Sequence, residues 1–161
     1  MFHDPSAMLN PTNSTIAAYY LYGLEAGIVT LQQAKDWAFS VVESMDSPPA
    51  DVIDVALSSG LPEMNEKLNA IAGERDVQLA GKWLLNALNR ELSSNPLNVE
   101  RIAKQAMQVT RSTALGDDEY YVFDYIDDAL SLAQNGTYGS VEACRSELEN
   151  ALSAYQEGFN V

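Results

Sequence analysis

Few side chains in this sequence are of the types that carry covalent or metal chemistry. There is one histidine, His3, and one cysteine, Cys144. A nucleophilic Ser or Cys needs a base beside it, and His3 lies in a stretch broken by Pro5 and Pro11 that has no apolar period. One His excludes an HExxH zinc site, and one Cys excludes both an internal disulfide framework and a Cys-based zinc cluster. No GxxxxGK[ST] or GxGxxG phosphate loop is present. Carboxylate pairs such as Asp124 and Asp128 are plentiful, but on an exposed helix nothing separates their pKa values into an acid and a base. Cys144, Trp37 and Trp83 fall on apolar faces and read as core. The expectation is a non-enzymatic protein with no cofactor and no metal.

What remains is charge. Nine Lys plus Arg against 23 Asp plus Glu give a net charge of −14. Binding nucleic acid through its phosphates takes a surplus of cations, and anionic lipid repels such a surface, so neither is expected as a partner. The excess is uneven. Residues 1–60 hold seven acids and one cation, Lys35; residues 61–112 come to +1; residues 113–161 hold ten acids and one cation, Arg145. No basic n-region precedes an apolar run at the start, which with the lone Cys suggests a cytoplasmic protein.

The elements that position these charges are helices. Residues 1–12 read as a loose leader, and residues 13–161 as one all-α domain. Glycines 27, 60, 73, 116, 136 and 158 read as helix stops. Thr30 with Gln33 forms a capping box, and Ser47, Asp76, Asn98, Asp117 and Ser140 read as starts. The spacing predicts eight helices, over 14–26, 31–45, 48–59, 62–72, 77–93, 98–114, 118–134 and 141–157. Their short connections predict antiparallel hairpins, in a helical array or bundle. The fifth helix is apolar over more than half its circumference, which predicts a central place. The Tyr19-Tyr20-Leu21-Tyr22 run echoes Tyr120-Tyr121-Val122-Phe123, but no strict repeat period supports a repeat protein.

The seventh helix concentrates the acids. At 100° per residue, Asp117, Tyr120, Asp124, Asp127, Asp128 and Ser131 share one side, with Val122, Tyr125, Ile126, Ala129 and Ala133 assigned to the core opposite. Asp117, Asp118 and Glu119 suit a helix N-terminus; Asp124, Asp127 and Asp128 lie beyond the reach of its dipole. Two readings stay open: a solvated face that keeps a small domain soluble, or a docking surface for a basic protein partner with Tyr120 as anchor. One helix face cannot wrap a cation. The first helix, uncharged apart from Glu25, reads as buried or as a Tyr-rich seam for a homodimer. A mild basic stripe of Arg101, Lys104 and Arg111 marks the outer side of the sixth helix, either paired within the molecule or simply surface.

Two stretches carry a resemblance. One runs from Gly27-Ile28-Val29-Thr30 into Ala34-Lys35-Asp36-Trp37-Ala38 and on to Pro48-Pro49. The other runs from Ile126-Asp127-Asp128-Ala129 through Gly136-Thr137-Tyr138-Gly139 to Leu148 and Tyr155. They resemble the openings and closing portions of small acidic helical bacterial proteins, among them cytoplasmic immunity proteins of polymorphic and contact-dependent toxin systems. The resemblance spans about a third of the chain and transfers no individual residue role. It implies a protein that sequesters a basic partner such as a toxin.

Overall fold

The computed structural model describes residues 12–159; of the leader read over residues 1–12, residues 1–11 lie outside them and Thr12 caps the first helix. Eight α-helices and one short 3-10 turn make up the described residues, with no strand among them. They are α1 (Asn13–Glu25), α2 (Leu31–Ser44), α3 (Ala50–Ala56), α4 (Leu61–Asn69) and α5 (Val77–Ser94), then the 3-10 turn Pro96–Asn98, α6 (Val99–Ser112), α7 (Asp117–Gln134) and α8 (Val141–Leu152). None of them is long and apolar enough to cross a membrane.

Local chemistry sets the boundaries. Thr30 and Gln33 form the reciprocal capping box expected of them, and Asp76 and Ser140 each accept from a first-turn amide. Thr12 does the same for α1. At Gly27 the chain turns left-handed with φ 74°, and Ile28 N–H donates to Gly23 O while Gly27 N–H donates to Leu24 O. This Schellman arrangement recurs at Gly136, φ 71°, through Thr137 and Leu132.

Some boundaries differ from expectation. Gly60 is not a stop; its backbone is extended, with φ −170°, and it opens α4. Helix α3 begins at Ala50 rather than residue 48, because Pro48 stands before another proline and is pushed out of the helical region. Asn98 makes no side-chain cap, and Gly116, not Asp117, precedes α7. The last helix ends at Leu152, so Gly158 ends no helix. Residues 153–159 fold back instead: Asn86 Nδ2 donates to Tyr155 O at 2.8 Å, and Phe159 stacks on Trp83 at 5.3 Å.

One continuous apolar cluster links all eight helices. Helix α5 takes the central place predicted for it, packing on α1, α6 and α8. Its Ala80, Trp83, Leu84, Leu85, Leu88 and Leu92 are all buried. Helix α1 is interior too. Tyr19 and Tyr20 are buried, Tyr20 stacks on Trp37 at 5.6 Å, and Ser14 and Thr15 tie its first turn to the α4–α5 connection through Glu74 O and Asp76 N. Its free C-terminal carbonyls are met by α6: Gln105 Nε2 donates to Ala26 O at 3.0 Å and Gln108 Nε2 to Glu25 O at 3.3 Å. Tyr19 and Tyr20 thus turn inward, and of the Tyr-rich run Leu21, Tyr22 and Leu24 stay part-exposed.

Candidate functional site

The predicted acidic stripe divides when folded. Helix α7 lies between α6 and α8. Its buried residues are Phe123, Ile126 and Leu130. The axis of burial is thus turned by roughly 75° from the one drawn through Val122, Tyr125, Ile126, Ala129 and Ala133. Phe123 and Leu130, seven residues apart with Ile126 between, present the bulkiest apolar surface and dominate the choice of buried face. Two consequences follow, one on each flank.

On the α6 flank, part of the acidic stripe meets the basic stripe of α6. Asp127 is largely covered, its side chain 15% exposed, and Lys104 Nζ donates to its Oδ1 at 3.0 Å. The Asp127 carboxylate, through that hydrogen bond, raises the Lys104 pKa. The Arg111 guanidinium lies over the Tyr120 ring, 3.8 Å from its centre. Tyr120 and Asp124 are half-buried, while Asp117 and Asp128 are exposed. The fully exposed row of four aspartates and a tyrosine is therefore corrected: Asp127 is engaged within the molecule and Tyr120 is covered by a cation. Arg101 turns the other way and pairs with Glu91 of α5 at 2.9 Å.

On the α8 flank, the same rotation leaves apolar side chains uncovered. Val122 and Tyr125, assigned to the core from the sequence, are 47% and 66% exposed, and their neighbour Tyr121 is 58% exposed. Beside them a groove of about 490 Å³ opens between α7 and α8, with Ile126 and Ala151 in its lining. A second hollow of about 300 Å³ continues it past Asp118 and Val122 to Ala154 and Tyr155. Two of its three acids sit at opposite ends. Glu147 shares the first hollow with Tyr125, and Glu119 shares the second with Tyr155. Asp118 borders both, and no Lys or Arg lines either.

No family model, curated protein or solved structure matches this chain.

Chemically the groove offers apolar area, three phenol rings and three carboxylates. It holds no cysteine or histidine. Among the described residues no three His, Cys, Asp or Glu side chains converge to hold a metal ion. Cys144 is buried at the α8 core face, and burial pushes its thiol pKa up, away from the reactive thiolate. Of the candidate residues Asp117, Tyr120, Asp124, Asp127 and Asp128, all on α7, none lines the groove. Reading Phe123, Ile126 and Leu130 as the core triad would have exposed Tyr121, Val122 and Tyr125.

Proposed function

We propose that this chain is a binding protein for a basic protein partner, and that the partner docks in the α7–α8 groove. The observation that supports this most is the exposure of Tyr121, Val122 and Tyr125 on successive turns of one helix, beside a groove ringed by Asp118, Glu119 and Glu147. Soluble proteins seldom leave such an apolar group contiguous unless something covers it. Tyr combines large contact area with a polar tip, and anchors of that kind carry much of the binding energy at interfaces.

Charge supports the sign of the partner. Residues 113–161 carry ten acids against Arg145, and Arg145 already pairs with Glu142 and Glu149. A field of that sign accelerates encounter with a cationic surface and repels an anionic one. An enzyme that acts on a phosphate-bearing polymer presents such a surface, so sequestering a toxin of that kind is the form of binding we favour, in line with the resemblance to immunity proteins.

The test is a photo-activated crosslinker in place of Tyr125 in the source cell, with a second placed at Asp128. A crosslinked protein of basic character at position 125, absent at 128 and lost on Glu147→Lys, supports the proposal. No adduct at 125, or adducts only with acidic proteins, overturns it.

A further inference from the structure

The groove also constrains the shape of what fills it, and this inference rests on the proposed docking function. We infer that the occupant is a cationic amphipathic α-helix, presented by the partner, with aliphatic side chains two turns long on one face and a Lys or Arg beyond each end of that apolar row.

The first argument is backbone accounting. The described residues contain no strand, so there is no sheet edge to pair with an extended peptide. The groove is walled by side chains, mainly Tyr121, Val122, Tyr125 and Ala151. An extended segment lying there would bury unpaired amides and carbonyls against apolar atoms, while a helix satisfies its own. The second argument is length. From Asp118 to Tyr125 along α7 is ~10 Å at the rise of a helix, and on the other wall α8 runs ~8 Å from Glu147 to its end at Leu152. Two turns of an incoming helix cover about the same distance, which places its apolar anchors at i, i+3 or i+4, and i+7.

The third argument is the placement of charge. Glu147 lies at the Tyr125 end and Glu119 at the Tyr155 end, and Val122 and Ala151 line both hollows together with Asp118 and Asn150. Carboxylates at the two ends meet a cation beyond each end of the row, and Val122 and Ala151 meet its apolar middle. A second copy of this chain does not suit the site, because each copy carries a net charge of −14 and would bring acid to acid. Anionic lipid meets the same objection.

The experiment uses the full chain and two Leu/Lys peptides of about 15 residues and identical composition. One has leucines at helical spacing; the other alternates Leu and Lys, as a strand would. Backbone amide shifts locate binding, and circular dichroism reports helix gained by the peptide. We expect the helical pattern to bind about tenfold more tightly, to gain helix, and to move the amides of Tyr121, Val122, Tyr125 and Ala151. Equal affinity of both peptides at those same amides overturns the helix inference and leaves the cationic docking function standing. Failure of both peptides to move the groove amides, whether or not shifts occur elsewhere, overturns the inference and the docking site together.

Discussion

Lys104 Nζ donates to both carboxylate oxygens of Asp127, at 3.0 and 3.2 Å, and so joins α6 to α7. The Lys104 side chain is 55% exposed, which limits the pair to about 0–1 kcal/mol. Its structural consequence is larger than its energy, since it marks which flank of α7 turns inward. Asp127→Ala should lower stability by about 0.5 kcal/mol or less. Denaturant unfolding of Asp127→Lys should show a larger loss, from Lys104 facing a like charge, and Lys104→Asp in the same chain should recover most of it. A loss unchanged by the second substitution would deny the pair.

Tyr20 is fully buried, and its hydroxyl has no hydrogen-bond partner among the described residues. Such an unsatisfied group costs about 1–3 kcal/mol, so Tyr20→Phe should raise stability by about 1 kcal/mol and keep the stack on Trp37. Burial drives the pKa of this phenol far above the ordinary phenol value of 10.0. A raised folded pKa means stability is intact below the unfolded pKa and is lost as pH climbs from there toward the folded one. Alkaline unfolding should therefore begin near pH 10.0 and be shallower in Tyr20→Phe. Equal alkaline profiles for the two proteins would contradict this.

Gly81, in the second turn of α5, lies against the C-terminal end of α6. A Cβ placed there would come within 2.1 Å of Thr113 Oγ1 and 2.7 Å of Thr113 Cβ. Thr113 is buried and donates to Val109 O at 2.6 Å, so it has little room to yield. Gly81→Ala, which would favour an isolated helix, should instead destabilise the protein by about 1–3 kcal/mol, read as a lower denaturation midpoint with an unchanged slope.

The Cys144 thiol is covered by the α8 packing, and its pKa is raised by that burial. A thiol reagent added to the folded protein should label it at the rate of local or global opening, and added in denaturant should label it at once. Rapid labelling of the folded protein would show Cys144 to be at the surface.

The helices were legible because their boundaries are written locally. Thr30 with Gln33, Asp76, Ser140 and the left-handed Gly27 and Gly136 act within a turn of where they stand. The α6 face was legible too: Val99, Ile102, Ala103, Ala106, Val109 and Thr110 are all buried. Helix α7 was harder because it is apolar on two sides, one through Phe123 and Leu130 and one through Val122 and Tyr125. Periodicity alone does not say which side wins; contact with α6, through Lys104 and Arg111, belongs to tertiary packing. The two tyrosine runs make the same point. Tyr19-Tyr20 lies in the core and Tyr121 at the surface, although their neighbours in sequence are alike.

The location of the electrostatic site is the central claim, and two variants of equal net charge address it. Asp118→Lys with Glu147→Lys reverses the charge at the groove; Asp124→Lys with Asp128→Lys reverses it on the other flank of the same helix. Dissociation constants for the helical Leu/Lys peptide, measured for both variants at one ionic strength, compare them directly. A groove reversal that weakens binding at least about tenfold, beside a flank reversal within about threefold of the parent, is the result expected here. Equal weakening by the two, or greater weakening by the flank reversal, would contradict it.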